Sequence, residues 1–400
     1  MAPPARSVLL LTLPPGLGGV GAAATLLEAV LVKHGYPLTV AWRAYYSEEP
    51  ALSVPMWRVL TRRPTIRETM DGAVRRVAVG TWLPEFEWAH HQPWAPWRAL
   101  LEGHRAHVVM SGNNLAGWGP TALDLPSLQW IASPYAPDRV DRIRHWPVWR
   151  RVYDAALNSW VSARQEIRTL ERADTLSISG YTQEGLRRVT PRARLFGVLP
   201  IPVDTERYSP VGRPPLAGRK LRIGFNGRIS DPRKNMPLLV KAFARAAQAH
   251  PDIELHVRGD LPREEFIARY DAGGIAEKLI VEPSVPFARM PDWYRSLDIF
   301  ALASHQEGLS IVGTEAMACG AVVVSTRCGG PEDYVLDNET GLLSGFDDRE
   351  FADRMIALIG DAALRTRLSD AGIAFVRTRY AQAAFERGFM EAFSRLYGSL

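Results

Sequence analysis

Apolar and polar residues follow one another along the chain in blocks that predict strands and helices in turn. Ser7–Leu13 is a continuous apolar run, which is typical of a strand buried on both faces. The glycine-rich stretch Gly16–Gly21 follows, and apolar residues then recur at helical spacing over Ala22–His34. Tyr36–Ala41 predicts a second strand. A strand, a glycine turn, a helix and a strand form the βαβ unit of a doubly wound parallel sheet.

This pattern begins again halfway along the chain. The segments Pro200–Pro202 and Ser209–Pro215 are rich in proline and glycine and predict a linker. After them, Leu221–Phe225 predicts a strand and Asn235–His250 a helix. Further strands are predicted at 106–110, 127–131, 174–179, 194–199, 253–257, 279–281, 299–302 and 321–325.

The predicted fold class is therefore α/β, with two doubly wound, Rossmann-like domains facing each other across a cleft. The N-terminal domain is expected over 1–200, the linker over 201–218 and the C-terminal domain over 219–380. We expect the last helix, about 381–400, to pack back on the N-terminal domain. Ligands in this architecture bind at the carboxyl ends of the strands, so the cleft is the expected site.

The composition of the chain argues against several classes of protein. The 400 residues carry a net charge of +5, arginine supplies most of the positive charge, and the basic runs are only pairs, which argues against nucleic-acid binding. Two cysteines exclude a disulfide framework and a cysteine-rich metal site. We interpret the N-terminal apolar run as a first strand instead of a signal peptide and expect a cytoplasmic protein.

Tryptophan is concentrated in the first half, where eleven of the twelve lie before residue 161. The stretch Thr81–Trp97 has no clean period, and the stretch Arg139–Trp160 mixes tryptophan with arginine. Aromatic rings stack on sugars or lie at a membrane interface, and arginines meet phosphates. We expect these stretches to bind the acceptor or an anionic membrane face, and ordinary packing is the alternative. Asn113 and Asn114, after a strand, are further polar candidates for the cleft.

The glycine turn allows a second interpretation. Gly16, Gly18 and Gly21 satisfy the G-x-G-x-x-G pattern of dinucleotide-binding proteins, so an NADP-dependent oxidoreductase is an alternative function. Pro14 separates the strand from the glycines, where the pattern needs a tight turn. The second strand is followed by Arg43 instead of an acidic residue, and an arginine suits a 2′-phosphate.

Two glutamates bracket a more specific site in the second half. The strand 298–303 leads into a loop carrying Glu307, and a helix over Ile311–Cys319 carries Glu315. The free amides of Gly308 to Ile311 at the start of that helix form an anion site. Each carboxylate can accept two hydroxyls side by side, so the pair can serve a sugar at one end of a ligand and a ribose at the other.

A basic pair is predicted to lie beside this loop. Asn226-Gly227-Arg228 follows the first strand of the second domain, and Lys234 lies near the next helix start, where a cation is unfavourable to the helix dipole. An anionic ligand between Arg228 and Lys234 would account for that position. A guanidinium fork and an ammonium point charge suit a diphosphate.

These motifs together resemble the retaining glycosyltransferases of family four, which have the GT-B fold. The resemblance rests on Glu307-x(7)-Glu315 within EGLSIVGTEAMACG, on the following AVVVSTRCGGPEDYVLDNETGLL, and on FNGRISDPRKNMPLLVKAF, VLPIPVDTERYSP, ADTLSISGYTQEGL and VPFARMPDWYRSLDIFALAS. It is dense over about 172–345 and thinner toward the N-terminus. There, only the glycine turn and its helix match.

The resemblance implies a role for each matching residue. Arg228 and Lys234 bind the donor diphosphate, with Asn226 and Gly227 beside them. Glu307 binds the donor sugar, the amides of Gly308, Leu309, Ser310 and Ile311 approach the sugar and phosphate, and Glu315 binds the ribose. Gly19 of the first domain approaches the phosphates. The family's N-domain histidine has no counterpart here, since Ala132 and Ser133 stand in the matching stretch.

The expected function is transfer of a sugar from a nucleotide-diphosphate sugar to an acceptor hydroxyl, with retention and by a front-face mechanism. Neither a metal nor another cofactor is expected, because Arg228 and Lys234 neutralise the leaving diphosphate. The acceptor is a glycan, a lipid-linked molecule or a small molecule, and nucleic acid is not expected as a partner. A nucleotide-sugar-binding protein without catalysis is a further alternative.

Overall fold

The computed structural model describes residues 7–14, 18–136, 148–153, 158–283, 287–398 and 400. Contacts divide the chain into two units. Unit 1 combines Met1–Leu199 with Glu386–Leu400, and unit 2 is Pro200–Phe385. The segment expected to be a linker, 201–218, therefore belongs to unit 2, where Tyr208 is buried.

Unit 1 contains an eight-stranded sheet. Its strands are β1 (Val8–Thr12), β2 (Leu38–Arg43), β3 (Ile66–Asp71), β4 (Val74–Val79), β5 (Ala106–Ser111), β6 (Leu128–Ile131), β7 (Asp174–Ser177) and β8 (Leu195–Val198). Among the residues that the structure describes, its named α-helices before the last one are α1 (Gly18–Lys33), α2 (Trp97–Glu102), α3 (Trp118–Ala122), α4 (Val148–Tyr153), α5 (Ser159–Arg172) and α6 (Gly180–Val189). The strand order is β3-β4-β2-β1-β5-β6-β7-β8, and only β3 runs antiparallel to its neighbour.

Apart from β3, this order is that of a doubly wound sheet that grows outward in both directions from β1. The central strands read as apolar runs because helices cover both faces of such a sheet; β1 is buried along its whole length. The hairpin of β3 and β4 was not predicted from the sequence. Its β3 strand is almost fully exposed, so it lacks the apolar pattern by which the buried strands were found.

The predicted glycine turn over Gly16–Gly21 is wrong in its extent. Helix α1 begins at Gly18, so Gly18, Gly19 and Gly21 are helical residues. Residues 15–17, including Gly16, lie outside the described residues. A glycine lowers helix stability by only about 1 kcal/mol relative to alanine, and the packing of α1 against β1, β2 and β5 outweighs that cost.

Unit 2 contains a six-stranded sheet in which all strands are parallel. Its strands are β9 (Leu221–Asn226), β10 (Ile253–Gly259), β11 (Leu279–Pro283), β12 (Ile299–Leu302), β13 (Val322–Thr326) and β14 (Gly341–Ser344). Its helices are α7 (Met236–Ala249), α8 (Arg263–Tyr270), α9 (Met290–Arg295), α10 (Ile311–Ala318), α11 (Asp348–Gly360) and α12 (Ala362–Arg379). The order β11-β10-β9-β12-β13-β14 is the Rossmann order 3-2-1-4-5-6.

The core of unit 2 lies between this sheet and the helices α7 and α11. Phe225 on β9, Phe243 on α7 and Phe351 on α11 are completely buried there. Side chains alternate between the two faces of each strand, so Arg222 and Asn226 of β9 lie on the face opposite to Phe225. The strand thereby presents an asparagine at its carboxyl end, next to the loop that follows.

The last helix is α13 (Gln382–Tyr397), and from Glu386 onward it belongs to unit 1. Phe393 stacks edge-on against Tyr36 with ring centroids 5.1 Å apart. The Tyr397 hydroxyl accepts from the amide of His107 at 3.0 Å and donates to its carbonyl at 2.8 Å. Phe393 and Tyr397 of this helix therefore pack within unit 1.

Candidate functional site

The polar residues singled out in the second half meet at the topological switch point of unit 2. Strand β9 is extended by β10 on one side and by β12 on the other, so the connections after β9 and after β12 leave the sheet in opposite directions. The crevice between such connections is where open α/β sheets bind ligands. The loop after β9 carries Arg228 and Lys234, and the loop after β12 carries Glu307.

Lys234 and Glu307 form the central ion pair of this crevice. Lys234 Nζ donates to Glu307 Oε1 at 2.6 Å, and only 17% and 11% of the two side chains are exposed. Ser304 Oγ donates to the same oxygen at 2.6 Å. The sequence did not predict that Lys234 would have a protein partner. An ammonium has three donors, so Lys234 keeps donors for an anion.

Arg228 is placed differently from Lys234. Its side chain is 71% exposed, and its guanidinium lies 3.2 Å from a carboxylate oxygen of Asp231. Asp231 also pairs with Arg233 at 2.8 Å and caps the 3₁₀ turn Pro232–Lys234. Arg228 is thus held near the rim of the crevice by a shared carboxylate, and solvent screens its charge more than that of Lys234.

Backbone hydrogen bonds connect the loop after β12 to the loop after β9 and to the loop after β13. The His305 amide donates to the Arg233 carbonyl at 2.7 Å, which joins the loop after β12 to the turn that carries Lys234. The Glu307 amide donates to the Cys328 carbonyl at 2.8 Å, and the Gly330 amide donates to the Glu307 carbonyl at 2.9 Å. A Cβ at Gly330 would lie 2.2 Å from the Gly308 carbonyl oxygen, so only glycine permits this approach.

Helix α10 begins directly after the loop that carries Glu307. Ser310 precedes the helix in a left-handed conformation, with φ of 66° and ψ of 70°. Its carbonyl accepts from the Tyr334 hydroxyl at 3.0 Å, and this tyrosine lies so close that a Cβ at Gly313 would be 2.1 Å from its oxygen. Within the described part of the chain, the amides from Gly308 to Ile311 have no backbone acceptor. Free amides at a helix start, together with the helix dipole, are suited to accepting an anion.

Glu315 lies in α10 within a buried tyrosine cluster. Burial raises the pKa of Glu315 to about 7, although hydrogen bonds from Tyr294 and Tyr208 and the charge of Arg207 oppose this rise. The Tyr294 hydroxyl also accepts from Asn226 Nδ2 at 3.0 Å, so β9 and α10 are connected through one hydroxyl. The residue as a whole keeps some exposure to solvent.

Tyr208 and Tyr294 are the site residues that the sequence analysis missed. Both are buried next to Glu315, yet they lie in different segments, before β9 and in α9. The only signal in the sequence was that both fall within the stretches resembling family four, and neither carries a recognisable spacing to Glu315. Their roles depend on the tertiary structure.

The candidate site residues of unit 1 differ in their surroundings. Asn113 accepts from the Leu115 amide as a turn cap, and Asn114 is fully buried and donates to the Glu166 carbonyl at 3.1 Å, so Asn114 faces helix α5. Gly19 is exposed in the first turn of α1, and a Cβ there would meet no atom within 4 Å. Packing inside unit 1 therefore does not require glycine at that position.

The tryptophan-rich stretches divide between packing and exposure. Trp97 is buried in the core of unit 1, whereas Trp94 is 39% exposed. The carbonyl of Trp88 accepts from Gln165 at 3.0 Å. Most of the second stretch, at 139–147 and 154–157, lies outside the described residues, as do the side chains of Trp149 and Arg150.

Two further observations bear on cofactors. Arg43, which was weighed as a 2′-phosphate ligand, stacks over the Tyr45 ring at 4.7 Å. Among the residues that the structure describes, there is no group of three or more His, Cys, Asp or Glu arranged to hold a metal ion.

Known proteins resemble this chain in both sequence and fold. Residues 220–361 match the family model described as Glycosyl transferases group 1. A D-inositol 3-phosphate glycosyltransferase of Xylanimonas cellulosilytica is 30% identical over 201 residues, covering 44% of this chain and 47% of the relative. A GDP-mannose-dependent alpha-(1-6)-phosphatidylinositol monomannoside mannosyltransferase of Mycolicibacterium smegmatis is 30% identical over 200 residues, covering 46% and 51%. The matched stretch thus spans about half the length of these relatives.

The fold comparison covers the whole chain. Sucrose-phosphate synthase from Thermosynechococcus elongatus superposes with a TM-score of 0.70 over 99% of this chain and 100% of that chain, at 18% sequence identity. The predicted fold class is confirmed, and the NADP-dependent oxidoreductase is not favoured. The chain has the GT-B fold of glycosyltransferases, and its residues 220–361 are similar to group 1 glycosyl transferases.

Proposed function

We propose that the protein is a retaining glycosyltransferase of family four that moves a sugar from a nucleotide-diphosphate sugar to an acceptor hydroxyl. The observation that carries this proposal is the Lys234–Glu307 pair at the switch point of unit 2, beside the open amides of α10. Glu315 follows Glu307 with the family's spacing and lies within α10. The similarity of residues 220–361 to group 1 glycosyl transferases supports the same reaction.

Each residue has a proposed role in the donor complex. Lys234 binds the diphosphate with the donors that Glu307 does not occupy, and Arg228 binds it from the rim. Glu307 Oε1 already accepts two hydrogen bonds, so Oε2 is available to sugar hydroxyls. The amides of Gly308 to Ile311 approach the sugar and phosphate, Glu315 accepts the ribose hydroxyls, and Gly19 leaves room for the phosphates.

The proposed mechanism is a front-face displacement. The bond between the anomeric carbon and the leaving phosphate oxygen breaks while the acceptor oxygen bonds to the same face of that carbon. The leaving oxygen takes the acceptor proton. Lys234 and Arg228 stabilise the charge that develops on the diphosphate, which is the main contribution expected of preorganised cations.

The donor and the turnover can be tested together. The purified chain is mixed with UDP-, GDP-, ADP- and dTDP-sugars, and release of the free nucleoside diphosphate is followed with and without candidate acceptors. Acceptor-dependent release from one donor supports the proposal. Nucleotide binding without release from any donor indicates the non-catalytic binding protein instead.

The acceptor is proposed to be a glycan, a lipid-linked molecule or a small molecule bound by unit 1. The names of the two relatives include an inositol 3-phosphate and a phosphatidylinositol monomannoside, so phosphorylated and lipid-borne acceptors are the first to test. We propose a cytoplasmic location with peripheral contact to an anionic membrane. Among the described residues, no helix has the length and apolar content to cross a bilayer.

We predict that nucleotide affinity depends on the protonation of Glu315. The pKa of about 7 lies above the ordinary glutamate value of about 4.3 because the carboxyl is buried. The carboxylate, which accepts both ribose hydroxyls, is therefore lost as pH falls through about 7. The dissociation constant of the donor should rise below that pH, toward tenfold per unit, and level off above about pH 8.

The control for this pH dependence is Glu315→Gln, in which the rise should disappear. The ligand should be a nucleotide sugar, because the terminal phosphate of a free nucleoside diphosphate itself titrates near pH 6. Calorimetry between pH 5.5 and 8.5 measures the constant. A wild-type affinity that does not vary over this range would contradict the role of Glu315.

We also predict that transfer does not need a divalent cation. Lys234 and Arg228 already supply positive charge to the diphosphate, so a metal is not required to neutralise it. Activity should be unchanged after dialysis against EDTA. Activity that is lost with EDTA and restored by Mg²⁺ or Mn²⁺ would overturn this prediction.

A further inference from the structure

A group of exposed apolar side chains lies in unit 1, in the segment 55–64 between β2 and β3, which we call the Trp57 segment. Leu60 is 97% exposed, Trp57 67% and Met56 57%. Single exposed apolar residues are ordinary, but contiguous patches of large ones mark interaction surfaces. This segment lies outside the donor site of unit 2.

The exposure does not come from a loosely attached loop. The Val54 amide donates to the Thr81 carbonyl at 2.9 Å, and the Leu83 amide donates back to the Val54 carbonyl at 2.9 Å. On the far side, the Thr65 amide donates to the Leu52 carbonyl at 2.9 Å. A 3₁₀ turn over Met56–Arg58 directs the segment outward. Backbone hydrogen bonds therefore hold the apolar side chains in solvent.

The charge of the Trp57 segment has one sign. Arg58, Arg62 and Arg63 interleave with the apolar residues, and the segment contains no acidic residue. Arg62 donates to the Ala51 carbonyl at 2.7 Å, and among the described residues none of the three arginines forms an ion pair. One carboxylate, Glu85, is in contact, and it accepts from the Met56 amide. The patch is thus apolar and cationic together.

A cavity of about 660 Å³ adjoins the patch. Its lining includes Leu60, Arg62 and Arg63 from the segment and Trp82 from the loop after β4. Two guanidinium-bearing side chains and an indole at one concave wall offer charge and aromatic surface to the same ligand. An anionic headgroup with its apolar attachment satisfies both.

We propose that the Trp57 segment docks the protein on the surface of an anionic lipid bilayer. Trp57, Leu60 and Met56 enter the interfacial layer, and Arg58, Arg62 and Arg63 meet the headgroup phosphates. Charge complementarity favours a lipid surface: arginines around indole and aliphatic groups match a layer with phosphates outside and acyl chains beneath. The inference rests on the membrane contact of the proposed function and assigns it to residues that the tryptophan-rich stretches do not include.

Co-sedimentation with vesicles tests the docking. The whole chain should bind vesicles of phosphatidylcholine mixed with phosphatidylglycerol and bind pure phosphatidylcholine weakly. Raising the salt from about 0.1 M to about 1 M, which shortens the screening length from about 10 to about 3 Å, should weaken the binding. Equal binding to both vesicle types, or to neither, would overturn the proposal.

Two sets of variants locate the surface. Each arginine near an anionic membrane changes partitioning about fivefold, so Arg58→Gln, Arg62→Gln and Arg63→Gln together should weaken binding about a hundredfold. The pair Trp57→Ser and Leu60→Ser should weaken it independently of salt. Matched controls are Arg105→Gln and the pair Val211→Ser and Phe346→Ser, all exposed elsewhere, which should bind as the wild type does.

The remaining outcomes are also decisive. Lys234→Ala should sediment like the wild type, so loss of sugar transfer and loss of docking can be told apart. Apart from Arg62, which is partly buried, the variants replace exposed side chains, and an unchanged melting temperature establishes that they fold. Concentration-dependent self-association that disappears in the Trp57→Ser and Leu60→Ser variant, without vesicle binding by the wild type, would make the patch a contact between copies and refute membrane docking.

Discussion

Replacing Lys234 by alanine is expected to lower kcat/KM for the donor by about 10- to 150-fold. A charge-assisted contact to the diphosphate contributes about 1.5–3 kcal/mol, and about 1.4 kcal/mol corresponds to a factor of ten. The loss is enlarged because Glu307, of whose side chain only 11% is exposed, would then face the incoming diphosphate without its cation. Steady-state kinetics with the donor found in the panel measures the effect.

Two controls define what this result means. Lys241→Ala removes an exposed lysine from the adjoining helix α7 and should leave kcat/KM unchanged. Arg228→Ala should reduce kcat/KM less than Lys234→Ala does, because the Arg228 side chain is 71% exposed and screened. Wild-type kinetics in Lys234→Ala would exclude this lysine from the diphosphate site.

Glu307→Gln is expected to lower kcat by about 10- to 150-fold while leaving the affinity for the free nucleoside diphosphate almost unchanged. The amide keeps the shape of the side chain but removes the charge that orients the sugar hydroxyls and pairs with Lys234. An interaction with the sugar strengthens as charge develops in the transition state, so its loss appears in kcat.

Glu315→Gln provides the comparison, since a contact to the ribose is the same in the ground and transition states. That variant should weaken nucleotide binding and change kcat little. Glu339→Gln, an exposed glutamate of unit 2, is the matched surface control. Equal losses of free-nucleotide affinity in Glu307→Gln and Glu315→Gln would refute this division of roles.

Most of the buried strands could be predicted because burial on both faces requires a run of apolar residues. Ile299–Leu302 was predicted with the bounds that the structure has, since a strand covered on both faces is a continuous apolar run. The exposed strand Ile66–Asp71 and the short strand Gly341–Ser344 were not predicted. One lacks an apolar face, and the other has only two large apolar residues, between a glycine and a serine, so it does not form an apolar run.

The candidate site could be predicted as far as its residues lie close together in the chain. Glu307, the loop from Gly308 to Ser310 and Glu315 fall within one strand–loop–helix segment. Their order alone therefore indicates an anion site at a helix start. Lys234 was singled out by its unfavourable position near a helix start. That Glu307 would be its partner could not be predicted, because 73 residues separate them.

The sequence by itself determined two repeated α/β units, their strand pattern and the types of residue at the strand ends, because hydrophobic periodicity and motif spacing are local. Only the tertiary structure decided which ends meet. The order β11-β10-β9-β12 places two loops from distant parts of the chain at one crevice and so creates the Lys234–Glu307 pair. The same packing buries Tyr208 and Tyr294 against Glu315 and raises the pKa of its carboxyl to about 7 by desolvation, a property of surroundings contributed by three separate segments.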